Sequence, residues 1–312
     1  MNPVLSALAP VIVLVALGVL VARLRWVGAA SVKELSNLVF LVLTPALLFR
    51  TMSRVQVQDL DFRPVGAYFL AVLVIFAGTL LVCGFSRRSA VLALATTFGN
   101  TVMIGTPLVA LAWGEQGLVT LFTLYTVHTV VLLTSATLVL ELAVMREAAA
   151  TGEPRRPVAT VLLALRNSLL HPVPLPIIAA LLFAQTGLAL PPLVARPLEL
   201  LAGAFTPMSL ILVGLTLAAT SWSVHWRGAL ALSAVKNLLH PLLVAMAGWL
   251  LGLSGVPLAV MVVVASLPIG ANVFLFSQRY RVAEDLVTAS VGLSTLLALG
   301  TVALVLSLAP LL

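Results

Sequence analysis

Long apolar runs separated by short polar clusters fill the chain from end to end. Ten such runs can be counted, at roughly 3–23, 31–52, 64–85, 88–113, 116–145, 169–188, 194–220, 227–252, 257–280 and 284–309. Each is long enough for a helix to cross a hydrocarbon core of about 30 Å. Barrel strands would instead be about ten residues of alternating polarity, so the runs predict helices, numbered here as spans 1 to 10.

Two spans are interrupted by residues that helices in lipid avoid. Span 4 carries "ATTFGNTVMIGTP" at 95–107, with Gly99, Asn100 and Thr101 deep in the run; span 9 carries "PIGANVFLF" at 268–276, with Gly270 and Asn272. At 1.5 Å per residue, Asn100 and Asn272 lie about 18 and 22 Å from the start of their spans, near the midplane. Gly, Asn and Pro let a helix stop and restart, and irregular backbone at that depth is tolerated only where it lines a cavity or is buried in protein. The pattern predicts two broken helices that cross. The restarted halves, beginning near Val102 and Val273, would aim unpaired N–H groups and positive dipole ends at the crossing, where an anion is favoured. Kinked helices packed through small residues are the plainer alternative.

The two halves also align. "LTPALL" at 43–48 in span 2 matches "FTPMSL" at 205–210 in span 7, "GLVT" at 117–120 matches "DLVT" at 285–288, and Asn100 matches Asn272 between those anchors. The polar stretch "REAAATGEPRRP" at 146–157 lies between a first repeat, 1–150, and a second, 151–312. Five spans per half is an odd number, so the second half is expected to be inverted relative to the first, as in many secondary transporters.

Composition agrees with this reading: 62% of the 312 residues are hydrophobic and 9% charged, with a mean hydropathy of +1.19. That composition marks an all-α integral membrane protein. The net charge of +7 would suggest nucleic acid in a soluble protein, but here the cations other than Lys236 fall between the hydrophobic segments and none is expected to meet nucleic acid. Twelve follow the odd-numbered spans (Arg23, Arg25, Lys33, Arg87, Arg88, Arg146, Arg155, Arg156, Arg166, Arg227, Arg279, Arg281) and four lie on the other side (Arg50, Arg54, Arg63, Arg196). The positive-inside rule then places the first set in the cytoplasm and both termini outside, in a multi-pass protein of the cell (inner) membrane. Span 1 lacks a basic leader region and reads as a retained helix. The single cysteine, Cys83, excludes an internal disulfide and any multi-cysteine metal site.

Chemistry-bearing residues are few. Lys236 lies within span 8, four residues before His240 and so on the same face, with Asn237 beside it; a charge within a span is expensive and is by default a functional candidate. Tyr125 and His128 on span 5 could line a cavity, with a packing role the plainer reading of His128. Thr44-Pro45 and Thr206-Pro207 should bend spans 2 and 7 and offer threonine ligands. Glu141 and Glu199 fall nearer span ends than centres, where snorkelling is the simpler role. Asp59, Asp61 and Asp285 all fall near ends, which argues against an aspartyl protease or an exchanger built on midplane carboxylates. Neither lysine follows a phosphate-binding glycine loop, and no nucleophile and base are paired, so no enzyme, resident cofactor or metal site is expected.

The stretches "LSNLVFLVLTPALLFRTMS" at 35–53, "GNTVMIGTPLVALAWGEQGL" at 99–118 and "LPIGANVFLFSQRY" at 267–280 resemble the auxin efflux carrier family, which includes plant auxin exporters and bacterial carriers for malonate, malate and similar carboxylates. The resemblance covers nearly the whole chain. It implies ten helices in the inverted repeat shared with bile-acid sodium symporters and sodium/proton antiporters, with spans 1, 2, 6 and 7 as scaffold and spans 3–5 and 8–10 as the transport domain. It implies external termini too. His171 stands where an Asn-Pro pair is common in the family, and the middle loop is too short for the regulatory region of long plant exporters. The expected function is a secondary carrier for a small organic anion, moving the crossover domain in an elevator-like cycle within the lipid bilayer. Asn100, Thr101 and Asn272, with the backbone at Gly99 and Gly270, would hold the carboxylate and Lys236 would add positive potential. A sodium-coupled symporter of bile-acid type is the close alternative and an anion channel a further one. Coupling by sodium or protons, and assembly as a homodimer, are open at this point.

Overall fold

A computed structural model describes residues 3–149, 162, 166, 173–218 and 225–312. The described residues form helices, with one isolated bridge between Gly99 and Ile269 and no strand among them. The helices are α1 Pro3–Arg23, α2 Ala29–Leu38, α3 Thr44–Met52, α4 Arg63–Cys83, α5 Arg87–Thr97, α6 Thr106–Ala149, α7 Pro174–Gln185, α8 Pro192–Ala218, α9 Trp226–Ala234, α10 His240–Leu250, α11 Gly255–Ser266, α12 Ala271–Tyr280 and α13 Glu284–Leu308. Residues 150–157 of the middle loop, and His171 at the start of the sixth predicted span, lie outside the described residues.

Among the described residues, six continuous helical stretches are long and apolar enough to cross a membrane: Ala30–Met52, Arg63–Cys83, Thr101–Glu147, Pro192–Ala218, Trp226–Leu250 and Glu284–Leu311. Shorter apolar helices run Leu8–Arg23, Pro174–Gln185 and Gly255–Ser266. The predicted spans 4 and 5 meet inside the long stretch, divided at Gly114, whose φ of 58° and ψ of −143° suit glycine alone. The predicted span 9 is two helices, α11 and α12, each of a length that crosses about half of a hydrocarbon core.

Three of the proline sites share one local device. Pro45, Pro107 and Pro241 each stand two residues after the end of a π turn, at Val39–Leu43, Thr101–Gly105 and Val235–Leu239. A proline ring clashes with the carbonyl four residues back and offers that carbonyl no N–H; widening the preceding turn relieves the clash. Thr44 and Thr106 then close their turns with the side chain, donating Oγ1 to Val39 O at 2.8 Å and to Thr101 O at 3.2 Å. The expected bend at Thr44-Pro45 therefore takes the form of an inserted turn. Pro207 lies inside α8 without one.

Burial is deepest in α5 and α11. Every residue from 89 to 97 and from 258 to 266 is buried, so both short helices are enclosed by protein rather than lipid. Ser86 starts α5 with a reciprocal cap, its Oγ accepting from Ser89 N at 3.2 Å while Ser89 Oγ accepts from Ser86 N at 2.9 Å. Elsewhere α1 packs along α8 with the backbones almost touching at Gly18 and Gly214; a Cβ at Gly214 would overlap the Val15 carbonyl oxygen, and one at Gly18 that of Ile211. Small residues of this kind drive helix association in lipid, where apolar burial alone gives no preference for a neighbouring helix.

Gly214→Ala should therefore lower the thermal unfolding midpoint of detergent-purified protein by several degrees, the scale of an overpacked contact of about 1–3 kcal/mol. Gly203→Ala, on the same helix but with open space around the added methyl, should leave the midpoint unchanged or raise it; equal losses in both would refute the close-packing account.

Candidate functional site

The two interrupted helices meet backbone to backbone. α5 ends at Thr97, the chain turns extended at Phe98, and Asn100 N donates to Pro268 O at 2.8 Å; in return, Gly270 N donates to Phe98 O at 2.9 Å. This reciprocal pair is centred on Gly99 and Ile269. Glycine is required by proximity: a Cβ on Gly270 would stand 2.9 Å from both the Gly99 carbonyl oxygen and the Phe98 ring. The helices restart at Thr101 and Ala271, slightly earlier than Val102 and Val273. Val273 N is already bonded to Gly270 O at 3.1 Å, and the amides of Asn100 and Gly270 are used in the pair. The amides left without a helical acceptor are those of residues 101–103, 271 and 272, as expected of a first turn.

On one side of the crossing lie the ends of α5 and α11, and side chains take up their loose polar groups. Lys236 Nζ donates to Ala265 O at 2.5 Å, Asn237 Nδ2 donates to Ser266 O at 3.0 Å, and Ile269 N donates to Ser294 Oγ at 3.0 Å. A Cβ on Gly99 would stand 3.4 Å from Lys236 Nζ, so the ammonium lies against both breaks. Around it pack Tyr68, His128 and His240: the Tyr68 and His240 rings are 5.0 Å apart, those of Phe98 and His128 4.9 Å, and Tyr68 Oη lies 3.4 Å from His128 Nε2. Lys236, His128 and His240 are all buried. The Nδ1 of His128 and both ring nitrogens of His240 have no hydrogen-bond partner.

On the other side is a half-open cavity of about 390 Å³. Of the residues singled out from the sequence, Gly99, Asn100, Thr101, Tyr125, Gly270 and Asn272 line it. Lys236, His240, Thr44 and Thr206 do not. Thr44 lines a second, much smaller hollow with Val102, Thr106, Tyr125 and Phe205, and the Thr206 carbonyl accepts from Ser209 Oγ at 3.0 Å. Sequence reasoning missed Ser36, Asn37, Thr216 and Thr295, which complete the polar lining; their signal was faint, isolated hydroxyls or an amide within otherwise apolar runs. No charged side chain is among the lining residues, and the Thr101 hydroxyl has no partner. The lining comes from the Lys33 end of the α2–α3 run, the residue-218 end of α8, the α12 half that leads to Arg279, and the Glu284 half of α13. The cavity thus opens towards the face where Lys33, Arg227, Arg279 and Arg281 lie.

Several carboxylates are engaged away from the cavity. Tyr280 Oη donates to Glu141 Oε1 at 3.0 Å, Glu199 pairs with Arg196 at 3.4 Å, and Glu115 reaches Arg50 at 3.4 Å on the side opposite the cavity mouth. The Arg63 guanidinium beside Asp61 holds that exposed carboxyl below its usual range. Among the described residues no cluster of His, Cys, Asp and Glu could hold a metal ion.

Comparison with known proteins gives this geometry a family. Residues 3–306 match the family described as "Membrane transport protein". The chain is 30% identical over 303 residues to the "Putative malonate transporter" of Rhizobium meliloti (strain 1021), covering 93% of this chain and 90% of that protein. It is 26% identical over 298 residues to an "Uncharacterized transporter" of Methanothermobacter thermautotrophicus, covering 93% of each. Over 137 residues it is 30% identical to the "Probable auxin efflux carrier component 1b" of Oryza sativa subsp. japonica, covering 43% of this chain and 25% of that one. With a match over nearly its whole length and several apolar helices able to span a bilayer, the chain is a multi-pass membrane transporter belonging to the membrane transport protein family, that of the auxin efflux carriers.

Proposed function

We propose that the protein is a secondary carrier for a small organic anion that binds through a carboxylate. The observation that carries this reading is the cavity at the crossing, where two helix N-termini meet the Asn100 and Asn272 side chains, with Ser36, Asn37, Thr216 and Thr295 completing the polar lining and no charged side chain in it. A carboxylate leaving water is stabilised only where other donors replace the water. Two first turns, each worth about half a positive charge, meet that requirement without a fixed cation in the cavity. The volume of about 390 Å³ lies within the range of small-molecule sites, about 300–1,000 Å³, and admits a dicarboxylate with water or an aromatic carboxylate. The relative named as a malonate transporter supports the carboxylate class.

The carrier works by alternating access on a ten-span inverted repeat. Spans 1, 2, 6 and 7 form the scaffold, and spans 3–5 and 8–10 move with the crossing and its bound anion. The reciprocal bonding of 98–100 with 268–270 supports the repeat, since it is what a two-fold relation between the breaks would produce. By the positive-inside rule the face with the basic loops is cytoplasmic, so the cavity mouth faces inward and the termini lie outside. Arg50 and Glu115 then tie α3 to α6 on the closed, outer side. A sodium-coupled symporter is the second reading, because carbonyl oxygens at a helix break are ligands that sodium accepts; uptake that requires sodium would select it.

Asn100→Ala and Asn272→Ala should each reduce exchange of radiolabelled malonate in proteoliposomes by at least about tenfold, the scale of losing a hydrogen bond to a charged group, with little change in the unfolding midpoint. Wild-type exchange by either variant would remove these residues from the site.

Sidedness is open to a separate check. In a Cys83→Ser background, Asn37→Cys and Gly152→Cys should react with a membrane-impermeant maleimide in inside-out vesicles and stay unlabelled in intact cells; labelling of Gly152→Cys from outside would reverse the topology.

A further inference from the structure

The crossing has a carbonyl side as well as an amide side, and the two differ in what faces them. α5 and α11 both end there, and each helix C-terminus carries about half a negative charge. The Lys236 ammonium stands where those ends converge, bonded to Ala265 O in the last turn of α11 and lying against Gly99 two residues beyond α5. Lys236 has no exposed surface, and among the described residues no carboxylate pairs with it. Its neighbours from α4, α6 and α10, namely Tyr68, His128 and His240, bring no acidic group. A buried ammonium with no counter-ion is expensive. Two helix C-termini together supply about one negative charge, enough to balance it.

We propose that the Lys236 side chain is a tethered cation: its ammonium fills the place between the two helix C-termini that a dissolved monovalent cation would otherwise take, so the protein binds its anion without sodium. The charges then close across the crossing. About one positive charge from two N-termini faces the cavity and matches one carboxylate, while about one negative charge from two C-termini matches one ammonium. The inference builds on the carboxylate-carrier reading and adds to it that the driving ion is not sodium bound at this crossing.

The test is thermal unfolding of purified, substrate-free protein in sodium chloride or choline chloride at equal ionic strength. The wild-type midpoint should be the same in both salts. Lys236→Ala, which empties the ammonium site, should unfold lower in choline and recover by about 3 °C or more in sodium or with added ethylammonium. Lys236→Met, which keeps the stem but not the charge, should unfold lower and recover with neither. A wild-type midpoint that rises in sodium overturns the proposal, as does a folded Lys236→Ala indifferent to all cations, or a Lys236→Met as stable as wild type. Should Lys236→Ala not fold, the wild-type and Lys236→Met arms still decide. Added malonate and indole-acetate separate the two readings: stabilisation of wild type that is equal in both salts supports the tethered cation, stabilisation only in sodium refutes it, and no stabilisation by any carboxylate refutes the carrier reading while leaving the substrate-free arms intact.

Discussion

Inside hydrocarbon an unpaired amide or carbonyl costs several kcal/mol, so a helix cannot simply stop halfway across a bilayer. This chain stops twice, and each break supplies what the other lacks: Asn100 N reaches Pro268 O, and Gly270 N reaches Phe98 O. Much of the surrounding structure follows from that exchange. Gly270 is small because the backbones nearly touch there, α5 and α11 are buried on all sides because broken ends tolerate no lipid, and Lys236, Asn237 and Ser294 lie where they cap the groups the exchange leaves over.

The same geometry separates charge. All four half-helices direct their poles at one small region, with C-terminal ends on the enclosed side and N-terminal first turns on the cavity side. The fixed positive group sits on the enclosed side, out of the cavity, and the polar side chains that line the cavity are neutral. A bare lysine in the cavity would hold an anion tightly and release it slowly; dipole ends and amides provide a shallower well, which suits a carrier that must let go on the far side.

The helical, membrane-spanning character was legible from run length alone, and the breaks were legible because Gly99, Asn100, Gly270 and Asn272 are out of place in lipid. What joins them was not, since Phe98 and Gly270 are remote in sequence and no local pattern encodes the hydrogen bond between them. The π turns escaped for a related reason: Pro45, Pro107 and Pro241 announce a disturbance but not whether the helix kinks or widens. Widening also explains why Thr44 turns inward to Val39 O instead of reaching the cavity. Lys236 was visible as an expensive charge, yet its partner is a carbonyl, and carbonyls are present at every residue.

The reciprocal pair at 98–100 and 268–270 bears on where a transport cycle could be gated. Because both breaks are hydrogen-bonded to each other, Asn100 and Asn272 are fixed on a common frame and neither can swing away while the other stays. In the proposed alternating-access cycle, opening and closing would then fall to the opposing wall, where Phe40 and Leu41 from one helix and Val213 and Leu217 from another line the cavity. That wall sets Phe40, Leu41, Val213 and Leu217 beside Ser36, Asn37 and Thr216, so in the proposed cycle the amide-bearing frame would slide past a surface of mixed character, whose apolar side chains must shed water at each passage.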